Sequence, residues 1–230
     1  MRKIYYVKQC RIKKTVNLAK EKGVILAEAM TIYHMPLYKK LKEFIASGML
    51  GAVRMIQLNF GSYREYDMTS RFLNKNLAGG ALLDIGVYAI SLARYFMSIK
   101  PKQILSQVRF AESGVDEQAG ILLMNERAEM ATIALTLPKR AVIAFEKGYI
   151  EIMEYPRADE EKIVYTSSGT IETIVAGKRS DALQYEMEDI EEAIISRKKD
   201  MLLTNTIDVM DIMTEIRHRW GMYYDSEKIF

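Results

Sequence analysis

The segment from residue 102 to residue 176 constrains the fold more than any other part of this chain, because it alternates with a period of two. A period of two indicates half-buried β-strands, and short turns such as Asn125-Glu126 and Lys147-Gly148 predict hairpins between them. Consecutive hairpins form an antiparallel sheet, since parallel neighbours require long crossovers. We expect helices to cover one face of it. The positions that share a side within each run are Ile104, Ser106, Val108 and Phe110; Ala131, Ile133, Leu135 and Leu137; Ala141, Ile143 and Phe145; and Ile150 and Ile152.

The sequence before this segment supplies helices and one more strand. A first helix is predicted to end at Gly23, a residue suited to the left-handed C′ position, and Val24–Leu26 then indicates a short buried strand. Pro36 begins a second helix, and the strand Val53–Phe60 follows, which we expect to be covered on both faces. A long helix is predicted over Leu82–Met97. The fold class is therefore α+β, with a mainly antiparallel sheet and helices packed on one face.

Two further helices are predicted at the end of the chain. Ser180 or Asp181 caps the first, which is acidic at its start and basic at its end, as the helix dipole favours. Thr204 or Asn205 begins the second, and Gly221 follows it. The inward stripes are expected to be Leu183, Met187, Ile190 and Ile194 in the first helix, and Met210, Met213, Ile216 and Trp220 in the second.

Composition is that of an ordinary globular protein. Of the 230 residues, 49% are hydrophobic and 27% are charged, enough for a core that needs no covalent staples. No apolar run approaches the ~18–20 residues of a membrane span, and the N-terminus lacks the apolar region of a secretory signal. The single Cys10 excludes an intrachain disulfide, and His34 and His218, to which we assign capping or surface roles, argue against a zinc site. We expect a cytoplasmic protein with no metal centre.

Positive charge is concentrated at the N-terminus. Residues 1–22 contain eight basic residues and one acidic residue, a net charge of +7, whereas the rest of the chain carries −4. Nucleic acid or an organelle address would explain such a leader. We favour the solvated face of a first helix, or a face that evolved against a neighbour absent from this chain. No basic face elsewhere supports nucleic-acid binding, and we predict neither a nucleic-acid nor a membrane partner.

The densest cluster of candidate functional residues is GGALLDIGVY, residues 79–88. Gly79 and Gly80 allow the backbone to approach another group closely. Asp84 and Tyr88 are four positions apart, so on a helix they share one face and place a carboxylate beside a phenol. Such a pair could do acid–base chemistry on an alcohol, although phenols, whose pKa is ordinarily near ~10, then need a nearby cation. The alternative is that Asp84 caps the helix and Tyr88 only packs.

Glycine-rich nucleotide loops are absent from the sequence. No two glycines lie two positions apart, which excludes G-x-G-x-x-G, and G-x-x-x-x-G-K-[ST] does not occur. Binding of a nucleotide by such a loop is therefore unsupported. Arg71 and Lys75, in the loop before the glycines, either contact a ligand or are solvated loop charges. Arg71, with Gly79 and Gly80, is our candidate for substrate binding.

Four stretches occur in a characteristic order: AKEKGVILAEAM at 19–30, KEFIASGMLGAVRMIQLNF at 42–60, GGALLDIGVYAI at 79–90 and MDIMTEIRHRWGMYYDSEK at 210–228. Together they resemble the glucose-fructose oxidoreductase / inositol dehydrogenase (Gfo/Idh/MocA) family, and within it the subgroup of dimeric dihydrodiol dehydrogenase. The first stretch resembles the last helix and strand of that family's dinucleotide domain. The second resembles its linking helix and the first strand of its second domain.

The resemblance implies hydride transfer between NAD or NADP and a sugar, polyol or diol. It makes Tyr88 the proton donor or acceptor and gives Asp84 the task of orienting the substrate or the phenol. It also implies a lysine that stabilises the phenolate, a place that Lys3 matches by its distance from Glu28. Glu28 itself falls on the cofactor side.

The resemblance also implies a domain organisation. Family members usually carry a nucleotide-binding Rossmann unit before this region. We therefore expect residues 1–30 to be a remnant of the dinucleotide-binding domain and residues 31–230 to be the C-terminal α/β oxidoreductase domain, in a chain that is inactive alone. The family's broad sheet often forms a dimer interface, so we expect a homodimer through the sheet. The alternative is a non-catalytic α+β module that dimerises in the same way.

Overall fold

The computed structural model describes residues 9–197 and 201–228, which form an eight-stranded sheet with helices packed against one face. The strands are β1 (Val53–Asn59), β2 (Gln103–Phe110), β3 (Asp116–Met124), β4 (Met130–Ala134), β5 (Arg140–Phe145), β6 (Gly148–Met153), β7 (Glu160–Tyr165) and β8 (Ile171–Val175). The α-helices are α1 (Gln9–Lys22), α2 (Thr31–His34), α3 (Pro36–Ala46), α4 (Val87–Phe96), α5 (Ala182–Ile195), α6 (Leu203–Arg219) and α7 (Asp225–Lys228).

The strand order is β2-β3-β4-β1-β5-β6-β7-β8, and neighbours are antiparallel except β1 with β4. This confirms the predicted α+β class and the mainly antiparallel sheet. The prediction that consecutive hairpins alone form the sheet is wrong, because β1 lies between β4 and β5. Met55 of β1 lies opposite Met130 of β4, and α4 with the β2–β3 hairpin supplies the crossover that a parallel pair requires.

One face of the sheet is buried and the other is open. In β1, Ile56 and Leu58 are buried, whereas Arg54 and Gln57 are exposed. The expectation that this strand is covered on both faces is therefore wrong. The described helices pack on the inner face only, which leaves the outward residues of a central strand accessible.

The segment after α1 differs from its prediction. Gly23 ends α1 with φ of +66°, as expected of a C′ glycine. Val24–Leu26 is not a strand, and Val24 is 60% exposed. An extended segment becomes a strand only where another strand supplies hydrogen-bond partners, and the described residues place none beside it.

The helix predicted over Leu82–Met97 is present, with a π-helical first turn, Leu82–Gly86, before α4. By length and composition alone, the stretch 75–96 is apolar enough to cross a membrane. However, 61% of its apolar window is buried inside the protein, and Ala89 and Ile90 are fully buried. Such burial is typical of the central helix of a globular core.

The predicted inward stripe of α5 is wrong. Leu183, Met187 and Ile194 are 58%, 49% and 59% exposed. The opposite face of α5 packs on α2, where Thr31 Oγ1 donates to Glu186 Oε1 at 2.9 Å. Polar pairing between the two helices, rather than apolar spacing, decides which face turns inward.

His34 belongs to the same contact and is 4% exposed, so the surface or capping role assigned to it is wrong. Its Nδ1 lies 2.7 Å from Asp189 Oδ2, and its Nε2 lies 3.0 Å from the carbonyl oxygen of Glu28. Lys39 Nζ is 2.5 Å from the other oxygen of Asp189. His34 thus ties α2 to α5 and to the segment before α2.

The inward stripe of α6 is largely confirmed. Met210, Met213 and Ile216 are buried, and Trp220 is partly buried against the core. The helix begins at Leu203, slightly before the predicted caps.

Glu161, on the inner face of β7, is an acid in apolar surroundings. It is 2% exposed, and neither carboxylate oxygen has a hydrogen-bond partner among the described residues. Burial raises the pKa of Glu161 to about 9, opposed only in part by Lys40. The native protein therefore holds Glu161 as a neutral acid at pH 7, and unfolding releases its proton.

Replacing Glu161 with Gln should remove a pH-dependent part of the stability. Between about pH 4.5 and pH 9 the native state holds a proton that the unfolded state loses, so the free energy of unfolding falls as pH rises through that window. We expect the Tm of the wild type to fall by several degrees more than that of Glu161→Gln between pH 5 and pH 8, measured by calorimetry. Glu160→Gln, at an exposed position of the same strand, is the matched control and should follow the wild type. Identical pH dependence in all three proteins would contradict a neutral buried acid.

Candidate active site

A cleft opens beside the turn that precedes the π-helical segment. Its volume is about 310 Å³, within the range of small-molecule sites. The candidate run of residues 79–88 therefore borders a cavity. The lining residues come from five stretches of chain, at 61–66, 72–73, 80–85, 116–118 and 135–137.

Gly79 and Gly80 shape this turn. The N–H of Gly80 donates to the carbonyl of Phe72 and that of Gly79 to the carbonyl of Asn74, both at 2.9 Å. A Cβ on Gly79 would lie 2.7 Å from the carbonyl oxygen of Phe72, and Gly80 has φ of +124°, which other residues rarely adopt. The close approach that these glycines permit is thus to the protein's own backbone, although Gly80 also lines the cleft.

Asp84 lines the cleft and is paired with Arg71. Arg71 Nη2 lies 2.8 Å from Asp84 Oδ1, and the two side chains are 58% and 22% exposed. The guanidinium of Arg71 also stacks over the ring of Phe72, 4.3 Å from its centroid. Because the pair is partly exposed, it contributes little to stability. Chemically it offers a hydroxyl-bearing ligand one acceptor and one charged donor side by side.

Tyr88 lies one turn beyond Asp84, where the π-helical turn has given way to α4. Its half-buried ring packs edge-to-face on Phe60, with centroids 5.7 Å apart. Lys139 Nζ lies 5.5 Å from the centroid of the same Phe60 ring. The structure thus brings Asp84 to the cleft, whereas Tyr88 is not among the residues that line it.

Asp116 is a residue of this cleft that sequence reasoning missed. It begins β3, is 1% exposed, and its Oδ2 accepts a hydrogen bond from the N–H of Leu82 at 2.5 Å. Burial raises the pKa of Asp116 to about 6, although the bond from Leu82 and the charge of Arg217 oppose the rise. An acid at the start of an alternating strand carries no sequence pattern that points to a site.

The C-terminal segment braces the same turn. The hydroxyl of Tyr224 donates to the carbonyl oxygen of Gly79 at 2.5 Å. The backbone N–H of Tyr224 donates to Glu227 Oε2 at 2.8 Å, and Glu227 accepts from both terminal nitrogens of the buried Arg217 at 2.7 and 2.8 Å. The family resemblance covers this stretch but assigns it no part in the site.

The remaining candidates lie away from the cleft or outside the described residues. Glu28 is half-buried before α2 and is not among the lining residues. Lys3 lies outside the described residues. Within residues 9–197 and 201–228, no group of three or more His, Cys, Asp or Glu side chains is placed to hold a metal ion.

Comparison with known families gives a match over the part of the chain that holds the cleft. A family model described as the GFO/IDH/MocA C-terminal domain matches residues 38–172. The match contains Asp84, Tyr88 and Asp116, together with the sheet through the start of β8.

Individual relatives align with nearly the whole chain. Trans-1,2-dihydrobenzene-1,2-diol dehydrogenase of Xenopus tropicalis is 26% identical over 227 residues, which cover 93% of this chain and 68% of the relative. Scyllo-inositol 2-dehydrogenase (NADP(+)) of Bacillus subtilis is 28% identical over 225 residues, with coverage of 93% and 67%.

Solved structures share the fold. Aldose-aldose oxidoreductase from Caulobacter crescentus, complexed with glycerol, has a TM-score of 0.80 at 18% identity. The matched region covers 94% of this chain and 68% of the oxidoreductase chain. A 3-ketoreductase from Actinomadura kijaniata, in complex with NADP and TDP-benzene, has a TM-score of 0.79 at 18% identity, with coverage of 94% and 69%.

Gly80→Ala should destabilise the protein far more than Gly120→Ala. A Cβ on Gly80 would lie 2.2 Å from Asp116 Oδ1, at a φ of +124°, whereas one on Gly120 in β3 meets nothing within 4 Å. We expect Gly80→Ala to lower the free energy of unfolding by roughly 2–4 kcal/mol. Gly120→Ala should leave it nearly unchanged, as measured by urea denaturation. Equal effects of the two substitutions would contradict the tight fit at Gly80.

Proposed function

We propose that this chain, which belongs to the GFO/IDH/MocA C-terminal domain family, forms the substrate side of an NAD(P)-dependent oxidoreductase that acts on a sugar, polyol or diol. The observation that carries the proposal is Asp84, which lines the cleft beside the Gly79-Gly80 turn and is paired with Arg71, a residue that does not itself line the cleft. The relatives named above support the substrate class, because one is a dehydrogenase of a diol and the other of an inositol.

The cleft suits a hydroxyl-rich ligand. Asp84 accepts a hydrogen bond from one hydroxyl, while Arg71 donates to a neighbouring oxygen, so the pair would hold two adjacent oxygens. Tyr63 and Tyr66 line the cleft and are 84% and 53% exposed. Their rings offer an apolar surface on which the C–H face of a sugar or diol ring can pack.

Tyr88 is the group that we propose to exchange the proton of the carbinol oxygen. It lies one helical turn after Asp84, so a ligand held by Asp84 must extend toward α4 to reach the phenol. Asp84 then orients the ligand, and the phenol gives or takes the proton at that oxygen.

NAD(P) supplies or accepts the hydride in this chemistry, and the described residues do not fit a dinucleotide. The sequence has no two glycines spaced two positions apart, as a diphosphate loop requires, and α1 leads into a segment without regular structure rather than a strand that could carry such a loop. We therefore propose that the chain by itself binds the polyol and not the cofactor. Lys3 and Glu28 would face the nicotinamide only where a dinucleotide-binding unit holds it.

The open face of the sheet supports a second copy of the chain as partner. Strand register aligns seven outward apolar residues across it, all at least partly exposed, and we call them the apolar row. Such a face is suited to packing against the same face of another sheet. A non-catalytic module that dimerises in this way is the second candidate function. The apolar row consists of Met124, Met130, Met55, Ala144, Tyr149, Val164 and Ile171.

Ligand titrations of the chain separate these candidates. Saturation-transfer NMR with scyllo-inositol and with trans-1,2-dihydrobenzene-1,2-diol should detect binding of at least one of them. Asp84→Asn should weaken that binding by about tenfold, because it removes a charged acceptor. Calorimetric titration with NADPH and NADH should show no binding.

Asp67→Asn is the matched control. Asp67 accepts hydrogen bonds from Thr69 in the same loop but does not line the cleft, so its substitution should leave ligand binding unchanged. Failure of both polyols to bind would contradict the proposed substrate class and favour the non-catalytic module. Micromolar binding of NADPH would contradict the proposed absence of a cofactor site in this chain.

Light scattering tests the dimer. The wild type should have twice the chain mass of 26.5 kDa at micromolar concentration, and Met130→Glu should be monomeric, because a charge in the apolar row cannot be buried at low cost. Leu183→Glu, on the exposed stripe of α5, should remain dimeric. A monomeric wild type, or a dimer that Met130→Glu leaves intact, would exclude this interface.

A further inference from the structure

We infer that Asp116 is a positioning residue for the proposed reaction: its buried carboxylate holds the first turn of the helix that carries Asp84 and Tyr88. It thereby sets where the carboxylate of Asp84 meets the cleft. The inference rests on the proposed function and adds a residue that acts through the helix rather than on the substrate.

The bond between Asp116 and Leu82 is the clamp. The first amides of a helix have no acceptor within it, and Asp116 Oδ2 accepts from the N–H of Leu82 at 2.5 Å. The acceptor lies 34 positions away on β3, so the bond ties the helix start to the sheet. Asp84 is two residues further on, and its own N–H donates to the carbonyl of Gly80 at 3.1 Å. A shift of this turn therefore shifts Asp84.

The second carboxylate oxygen of Asp116 packs against Gly80. Oδ1 is buried and has no hydrogen-bond partner in the described part of the chain. A Cβ on Gly80 would lie 2.2 Å from it, so the carboxylate occupies the space that a side chain at position 80 would fill. Asp116 can reach Leu82 because residue 80 is a glycine.

The charges around Asp116 compensate its burial only in part. Arg217 attracts the carboxylate, but Glu227 already accepts from both terminal nitrogens of Arg217. Burial therefore dominates and raises the pKa of Asp116 to about 6. The charged and titratable groups around it are Asp84 at the helix start with its loop partner Arg71, Arg217, Tyr224 and Glu227 on the C-terminal segment, Glu117 on its own strand, and Tyr63, Arg64, Glu65 and Tyr66 in the cleft.

The charge of Asp116 controls how firmly the turn is held. An ionised carboxylate at a helix N-terminus accepts a stronger hydrogen bond than a neutral acid does. Burial outweighs that gain, because it raises the pKa of Asp116 to about 6, so the closed turn holds a proton that a solvated Asp116 in the opened turn releases. The free energy of opening the helix start, and with it Asp84, therefore falls as pH rises through about 6.

Hydrogen exchange measures the clamp directly, without any ligand. Protection of the amides of residues 82–86 should fall at least about tenfold in Asp116→Leu and much less in Asp116→Asn, whose amide oxygen still accepts from Leu82. In the wild type this protection, corrected for intrinsic exchange, should fall as pH rises from 5 to 7.5, because opening the turn releases the proton of Asp116. In Asp116→Asn it should stay level, because the amide does not titrate.

Glu129→Leu is the matched control for loss of a buried carboxylate. Glu129 Oε2 accepts from the N–H of Ser98 at 2.8 Å, beyond the far end of α4, so its loss should leave the amides of residues 82–86 unaffected. The affinity for scyllo-inositol should fall at least about fivefold in Asp116→Leu and be retained in Asp116→Asn and Glu129→Leu.

Two results would overturn the clamp. One is unchanged protection of residues 82–86 in Asp116→Leu. The other is a loss of protection in β6 as large as that in residues 82–86, which would indicate general destabilisation. Lost protection with unchanged affinity would overturn the positioning role. A wild type that binds no polyol but shows the expected exchange pattern would defeat the proposed function and leave the clamp supported. If Asp116→Leu does not fold, the pH series on the wild type and Asp116→Asn decides, and a level wild-type profile overturns the inference.

Discussion

Burial of α4 against the inner face of the sheet is the constraint on which the rest of the structure depends. Ala89, Ile90, Leu92 and Ala93 are 0% exposed, so α4 cannot slide along the sheet without opening voids in a close-packed core. The start of the helix is therefore fixed beside the first residues of β3. The turn before it must fit the space that remains, which only glycines can do at positions 79 and 80. The cleft is the space left around that turn, and its chemistry follows from which side chains reach it.

The sequence alone was sufficient for the sheet but not for its order. Alternation tells which side chains share a face, and it predicted the buried residues of β4, β5 and β6, such as Ile133, Ile143 and Ile150, but gave no face for β3, β7 or β8. Alternation does not tell which strand lies beside which, so the insertion of β1 between β4 and β5 was missed. The orientation of α5 was missed for another reason. Its apolar spacing is real, but Glu186 and Asp189 find partners on α2 only with the opposite face inward.

The residues of the candidate site also fall into those that the sequence could predict and those that it could not. Asp84 and Tyr88 could be selected from the sequence because they are four positions apart on one helix, and the family resemblance gave them roles. The residues that hold this helix start could not be selected. Asp116 is 34 positions from Leu82, and Tyr224 is 145 positions from Gly79, so each acts through a single hydrogen bond that exists only in the folded chain. Local sequence patterns identify residues that share a helix or a strand, but they do not identify hydrogen bonds between separate helices and strands.

The central place of β1 has a consequence for synthesis of the chain. Met55 pairs with Met130 and Leu58 pairs with Ala141. Both edges of β1 therefore lack partners until the ribosome has added at least 75 further residues. At roughly 5–20 residues per second this interval lasts about 4–15 seconds. Throughout it, a nascent strand with an apolar face and two unsatisfied edges is open to chaperones and to other nascent chains. A strand at the centre of the finished sheet is thus the one that spends longest without any neighbour.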